Sequence, residues 1–439
     1  MPVGQGADLS IAIDQMLKNA VGSKSEVCIF KVHNVLRNIN AKAYEPQIIA
    51  IGPYHRNKSH LEMMEKHKLE FLHSLLQRRK ESVSKYVSAM KLLEEKARRC
   101  YAEATDHLSP DEFVKMMVVD GCFIIELLVK FTVLKCSQKN NDPLQKVEMD
   151  PLFRMEWIMS FLQRDLMLFE NQLPFFVLSK LYEMIDPSGH QRIFIQKALE
   201  FFNDLFPGYG KNSRIEASQD NNIKHLLDLI HRNWSSLKLE PKADFTCNME
   251  NLKCIGSSTE LAEAGIRFEK IDDEVSFDIV FQDGLLQIPV ITIEDRTECF
   301  LRNLIAYEQH CWDTHFNIVI DYMTFLGCLI KSVEDVKKLS RHGILRSFVG
   351  DNEAVCKMFS TMNNCIVGPS SNFHYAHLFN KVNSHCDRRL NKWMASFRRK
   401  YMHSPWGVIS ILAASTLLLL ALLQVIFQIV AWKYPIAAT

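Results

Sequence analysis

Apolar residues recur at helical spacing through most of the first 240 positions of the chain. Leu61, Met64, Phe71, Leu72 and Leu75 line one face, with charged residues between them. Ile158, Leu162, Leu166 and Phe169 repeat the pattern, as do Ile195, Leu199 and Phe202, then Ile223, Leu226, Leu227, Ile230 and Trp234. These stripes predict packed helices, and the polar breaks at 137–150, 207–222 and 236–258 predict loops or insertions between them. Near residue 275 the period changes. Val275, Phe277, Ile279 and Phe281 alternate with polar residues, Asp283-Gly284 supplies a turn, and Leu286, Ile288 and Val290 continue with period two. A β-hairpin over about 275–293 follows, its second strand confined to an edge or cut short by Pro289, which has no N–H to donate. Helices resume near Thr297; Ser332 and Asp335 mark the start of one and Gly343 its stop. A last long helix is expected over about 372–401, broken by Pro405.

One segment departs from this mixed pattern. Trp406 to Trp432 contains no charged residue. A hydrocarbon core of roughly 30 Å needs about 20 apolar helical residues, so this run predicts a transmembrane helix. Its polar side chains are small hydroxyls and two amides, Gln424 and Gln428, four residues apart on one face. Trp406, Trp432 and Tyr434 stand at its ends, where amphipathic aromatics prefer the interface. Arg388, Arg389, Lys392, Arg398, Arg399 and Lys400 precede it and only Lys433 follows. That asymmetry predicts a cytosolic N-terminal part. The seven residues after Trp432 imply post-translational insertion, as in a tail-anchored protein of the plasma membrane or endomembranes. The basic stretch before the span also offers charge to anionic headgroups. The sequons Asn57-Lys58-Ser59 and Asn233-Trp234-Ser235 argue for the opposite orientation.

The expected architecture is therefore mainly α. A flexible arm (1–25) precedes a helical domain (26–401) carrying one small hairpin, then a transmembrane helix (406–432) and a short tail (433–439). With 52 Lys+Arg against 51 Asp+Glu, the net charge of +1 gives no global field for nucleic acid. The first 20 residues include Asp8, Asp14 and Lys18 and lack the apolar core of a signal peptide. Twelve cysteines scattered along 439 residues then read as reduced thiols rather than a disulfide framework.

The chemistry on offer is thin. Gly208-Tyr209-Gly210-Lys211 lacks the spacing and the Ser/Thr of a phosphate loop. His374, His377, His385 and Cys386 form the densest set of metal-ligand types, yet they fall on one expected helix rather than as two close pairs across a loop. Cys247 and Cys254 miss the knuckle spacing and read as unpaired thiols. Asp120 and Glu126 interrupt VVDGCFIIELLV, and Asp165 and Glu170 flank LMLF ahead of Asn171-Gln172-Leu173-Pro174. A buried carboxylate needs an arginine or backbone amides, so these four are expected to be structural. The alternative is a hydrolase or transferase that uses them as its acid and base. No catalytic, cofactor or metal residues are assigned.

Several motifs in order carry a resemblance. They are CIFKVHNVLRNINAKAYEPQIIAIGPYHR from Cys28, HLEMMEKHKLEFL from His60, DGCFIIELLV from Asp120 and RDLMLFENQLPFFVL from Arg164. TELAEAGIRF from Thr259, IPVITIEDRTECFLRNLIAYEQ from Ile288, NKWMASFRRKY from Asn391 and the apolar span complete the set. Together they resemble the plant family called "domain of unknown function 247", from about Glu26 to Trp432. His33 stands where the family pattern commonly has proline, a departure expected to loosen the local turn. As scaffold, Gly52-Pro53-Tyr54 makes a turn, Asn171, Gln172 and Pro174 end one helix and start the next, and Glu298, Arg302, Asn303 and Glu308 grip neighbouring turns. The resemblance implies a C-terminal membrane anchor and no established enzymatic activity. Its association in some grasses with pollen–stigma self-incompatibility implies recognition or signalling at a membrane. The expected partners are membrane lipid and a protein, not nucleic acid.

Overall fold

The computed structural model describes residues 27–140, 151–187, 191–205, 222–235, 252–271, 277–310, 317–364, 373–388 and 405–433, with Asp14 and Ile366 singly. The N-terminal arm apart from Asp14, the Gly208–Lys211 segment, Cys247, most of the polar breaks and the basic stretch after Arg388 lie outside the described residues.

The first long helix, α1 (Glu62–Arg79), buries Met64, Phe71, Leu72 and Leu75. Lys68 lies on that same face and is fully buried. Lys80 closes the helix in the left-handed conformation, with φ +52°. Helix α2 (Val83–Lys91) turns back, and both pack on α3 (Pro110–Asn140), which spans about 46 Å at 1.5 Å per residue. Every residue of α3 from 116 to 128 is buried, so this helix is the axis of the fold. It also runs past 137, where the sequence pattern predicts a break. Helices α5 (Phe175–Ile185) and α6 (Gln191–Phe201) also pack on it, preceded by α4 (Glu156–Leu166) and followed by α7 (Leu226–Ser235), which packs on α6.

The C-terminal half begins with α8 (Ser258–Glu263), started by a capping box between Ser257 and Glu260. The expected hairpin is present: β2 (Val280–Gln282) and β3 (Leu285–Pro289) pair antiparallel. Its turn residues Asp283 and Gly284 both have positive φ, +50° and +74°, as a twisted two-residue hairpin requires. The sheet is larger than the sequence pattern predicts, because β1 (Arg267–Ile271) pairs parallel with β3 on its other side. Strand β3 is therefore central rather than at an edge. Pro289 is its last residue, opposite Ile271, where the ladder ends and no donor is missed. Beyond it, β4 (Ile291–Ile293) pairs parallel with β5 (Leu345–Ser347).

Helices α9 (Thr297–His310), α10 (Ile318–Leu329), α11 (Val333–Arg341) and α12 (Asn352–Asn363) complete this half. Ser332 and Asp335 form the expected capping box of α11, and Gly343, at φ +70°, follows its end. The helix expected over 372–401 is interrupted: α13 runs Ala376–Cys386 with Asp387 at its C-cap, and residues 389–401 lie outside the described residues. The buried apolar side chains from Cys28 to Val382 form one continuous cluster.

The final helix, α14 (Pro405–Lys433), starts at Pro405, where the absent N–H costs nothing. Its segment Ile409–Ile429 has a mean hydropathy of 2.4, and none of it is buried against the rest of the chain. By length and composition this helix can cross a bilayer.

Candidate functional site

Residues 42–52 (KAYEPQIIAIG) enter the core in extended and single-turn conformations, and among the described residues no strand pairs with them. Buried backbone groups must be satisfied, and here side chains supply most of the partners. Arg164 donates to the carbonyls of Lys42 and Glu45 at 2.7 and 3.1 Å. Asp165 Oδ2 accepts three successive N–H groups, from Gln47, Ile48 and Ile49, at 2.9, 2.8 and 3.1 Å. Its other oxygen takes the Arg164 guanidinium at 2.6 Å. Asn171 works in both directions, accepting from Ile51 N–H at 2.6 Å and donating to the Ile49 carbonyl at 3.0 Å. Lys68 donates to the Ala50 carbonyl, and Asp120 accepts from Gly52 N–H at 3.0 Å. From α9, Asn303 donates to the Ala43 carbonyl at 2.8 Å.

The segment ends at Gly52, whose φ is +71°. A Cβ there would lie 2.6 Å from the carbonyl oxygen of Gln172, so only glycine fits this close approach. Gln172 in turn donates to the carbonyls of Leu166 and Leu168 at 2.7 and 2.8 Å, closing the end of α4, while the Gln172 carbonyl accepts from the Tyr101 hydroxyl at 3.0 Å. The expectation that Asn171 and Gln172 serve as helix-ending amides holds. His33, rather than loosening its turn, accepts from Val35 N–H at 3.3 Å and caps the short helix Asn34–Arg37.

The four acidic residues weighed as catalytic each have their own partners. Asp120 faces Lys68 at 2.7 Å, with Arg56 at 3.5 Å. Glu126 takes both arms of Arg78, at 3.0 and 2.5 Å. Glu170 accepts from Val32 N–H at 2.6 Å and pairs with Arg37 and with His55, the latter at 3.1 Å. Burial alone would raise Glu170, but His55, Val32 N–H and Arg37 outweigh it and hold its pKa below the usual carboxylate value. With Asp165 on the 47–49 amides, all four are at most 1% exposed.

Helix α9 carries a second polar set. Glu298 pairs with Arg302 at 2.8 Å and accepts from Asn40 at 3.0 Å. Asn303 accepts from Phe169 N–H at 2.9 Å. Glu308 caps α10, accepting from Val319 and Ile320 N–H at 3.0 and 2.9 Å, and meets His231 Nε2 at 2.6 Å. The neighbouring Tyr307 donates to Asp228 at 2.6 Å. Sequence reasoning missed Lys68, Asp228, His231 and Tyr307. A signal for Lys68 existed: it lies four residues after Met64 and three before Phe71, a charge set inside an apolar stripe. His231 sits likewise between Leu227 and Trp234.

This arrangement can orient backbone and transmit packing; Asp120, Glu126, Asp165, Glu170 and Glu308 are buried, while Glu298 remains partly exposed. The crevice bordered by Arg164, Arg296, Cys299 and Asn303 has no room for a water molecule. The histidine set is dispersed: His374 precedes α13 and gives its N–H to Asp321 at 2.7 Å, while His385 lies at the far end against Phe281. Among the described residues, no three His, Cys, Asp or Glu side chains are placed to hold a metal ion. Of the two sequon asparagines, Asn57 is exposed, whereas Asn233 is buried in α7.

The family model described as "Plant protein of unknown function" matches residues 29–420. Two UPF0481 proteins of Arabidopsis thaliana are similar over most of their length. One is 30% identical, covering 91% of this chain and 86% of its own. The other is 23% identical, covering 91% of this chain and 89% of its own. No solved structure matches the chain significantly.

Proposed function

Because the chain belongs to the plant family "domain of unknown function 247", whose model spans residues 29–420, we propose that it is a membrane-tethered protein-interaction component with a recognition or signalling role. The observation that carries this reading is α14. Leu412, Leu417 to Leu420, Leu422 and Phe427 all point away from the rest of the chain, at 57–71% exposure. In water that surface is a liability; in a bilayer it is the anchor. The cationic flank from Arg388 to Lys400, against the lone Lys433 beyond the span, favours a cytosolic main domain. Tethering near a surface raises the effective concentration of that domain for partners on the same membrane. The engagement of Asp120, Glu126, Asp165 and Glu170 within the fold favours a binding role over a carboxylate-dependent hydrolase or transferase.

The test is fractionation of the tagged chain with and without residues 405–439. The full chain is expected in the carbonate-resistant membrane pellet and the truncated chain in the supernatant. A full chain that stays soluble without detergent overturns the anchor. Glycosylation tags at the two ends decide the orientation: sugar on the N-terminal tag overturns the cytosolic assignment. Proximity labelling then tests the partner, and labelling no different from that of α14 alone fused to a reporter would remove the interaction role.

A further inference from the structure

Helix α14 carries two amides that play no part in anchoring it. The apolar span runs Ile409–Ile429, so its midpoint is Leu419. Gln424 lies five residues further on, about 7.5 Å along the axis and well inside a hydrocarbon half-thickness of about 15 Å. Gln428 follows one turn later on the same face. Ser415 and Thr416 satisfy their hydroxyls within the helix, donating to the carbonyls of Ile411 and Leu412 at 2.7 and 2.8 Å. The Gln424 and Gln428 amides, both exposed, make no hydrogen bond among the described residues. Water would satisfy them, but hydrocarbon does not. The same face continues back through Ala421, Leu417, Ala414 and Ser410, all exposed. From Ser410 to Gln428 the steps alternate between four and three residues without a break, which is a 3.5-residue repeat. The opposite face is bulky, with Leu412, Leu419, Leu422 and Ile426 around the self-satisfied Ser415.

We propose that α14 pairs in the membrane with a second copy of itself, in parallel, along the face marked by Gln424 and Gln428; this rests on the membrane-anchor reading above. The choice of occupant follows from the chemistry of the amide. A primary amide donates two hydrogen bonds and accepts two, so it is complementary to itself. Copies of a single-pass chain enter the bilayer in the same direction, and a two-fold axis between them sets each glutamine against its own counterpart. A different membrane protein would need polar groups at the same depth, whereas a second copy supplies them at matching depth. The small side chains of Ser410, Ala414 and Ala421 let the two backbones approach. The 3.5-residue repeat keeps the face in contact through a left-handed crossing of about +20°. Pairing sets two copies of the main domain side by side on one membrane, so that a partner with two epitopes can engage both.

The experiment uses the full chain, labelled enzymatically with donor or acceptor dye at its C-terminal tail and co-reconstituted into phosphatidylcholine vesicles. Energy transfer is followed as added lipid dilutes the protein, and transfer above the level of random proximity is expected. Gln424→Leu/Gln428→Leu is expected to weaken association about tenfold, the loss of one or two interhelical hydrogen bonds. Gln424→Asn, which keeps an amide, is expected to retain most of it, and Leu419→Ala/Leu422→Ala on the opposite face to leave it unchanged. The leucine replacements make the span more apolar and lie outside the main domain, so a loss reports on pairing rather than on folding. Carbonate extraction of the same vesicles separates two failures. A chain that is extracted overturns the anchor itself. A chain that stays embedded with transfer at the random level overturns the pairing alone and leaves the amides to a different membrane protein. Association as strong in the double leucine variant as in the parent also overturns the pairing along this face.

Discussion

Lys68 Nζ lies 2.7 Å from Asp120 Oδ1, and neither side chain meets solvent. The lysine comes from α1 and the carboxylate from the central helix α3, and the same two groups hold the Ala50 carbonyl and the Gly52 N–H of the first family motif. One ion pair therefore joins three parts of the chain. A buried pair adds little net stability over a good apolar replacement, yet losing one partner leaves an uncompensated charge. Lys68→Met is expected to destabilise the domain by about 3–5 kcal/mol, moderated by Arg56 at 3.5 Å from Asp120. The double variant Lys68→Met/Asp120→Leu is expected to cost clearly less than the sum of the single changes. Denaturant unfolding of the four proteins measures the coupling, and strict additivity would contradict a direct pair.

Gly52 tests the same junction through the backbone. Alanine there must adopt φ near +71° and place its Cβ 2.6 Å from a carbonyl oxygen that already accepts from Tyr101. Strain of this kind costs about 1–3 kcal/mol, and the clash adds to it. A Gly52→Ala variant with an unfolding midpoint equal to the parent's would mean that the 42–52 segment is not fixed as described.

Much of this was legible in the sequence, and the parts that were not share a physical cause. The helical stripes, the Asp283-Gly284 turn and the Ser332/Asp335 cap are local signals, each carried within a few residues. Strand β1 was invisible because its partner β3 lies eighteen residues on, from Arg267 to Leu285, and its own alternation amounts to one buried Phe268. The polar clamp was half legible. The need of Asp165 and Asn171 for backbone partners follows from burial, but the identity of those partners, residues 47–51, is a long-range fact. The early end of α13 at Cys386 had no Gly or Pro to announce it.

Asp335 gives an acid-sensitive prediction. Its carboxylate accepts from Ser332, Ser258 and Thr259, tying the start of α11 to α8. Burial alone would raise its pKa, but these hydrogen bonds outweigh it and hold the group at about 2. The folded pKa is below the unfolded value of about 3.9, so the contribution is complete above pH 4 and is lost as pH falls toward 2. Asp335→Ala is expected to lower stability at pH 7 by about 2–3 kcal/mol, through the cap and the orphaned donors. The gap between variant and parent should narrow below pH 4. A gap that is constant down to pH 2 would show that the charge of Asp335 contributes nothing.

Asp321 gives the opposite slope. It sits in the first turns of α10, 2% exposed, accepting from His374 N–H at 2.7 Å through one oxygen. Its other oxygen finds no donor among the described residues. Burial, and then the Glu308 carboxylate, push its pKa up to about 7 despite that one N–H. The folded state therefore keeps the proton where the unfolded chain releases it. This contribution is full below about pH 4 and lost as pH rises through 7. Asp321→Asn keeps an oxygen for His374 N–H and removes the ionisation. The variant is expected to gain on the parent as pH rises from 4 to 8, by roughly 2–4 kcal/mol at the upper end. The other ionisable groups, His231 and Glu308 among them, are common to both proteins, so the difference between their stability profiles isolates Asp321. If the two profiles run parallel from pH 4 to 8, Asp321 is ionised throughout and must have a donor near its second oxygen.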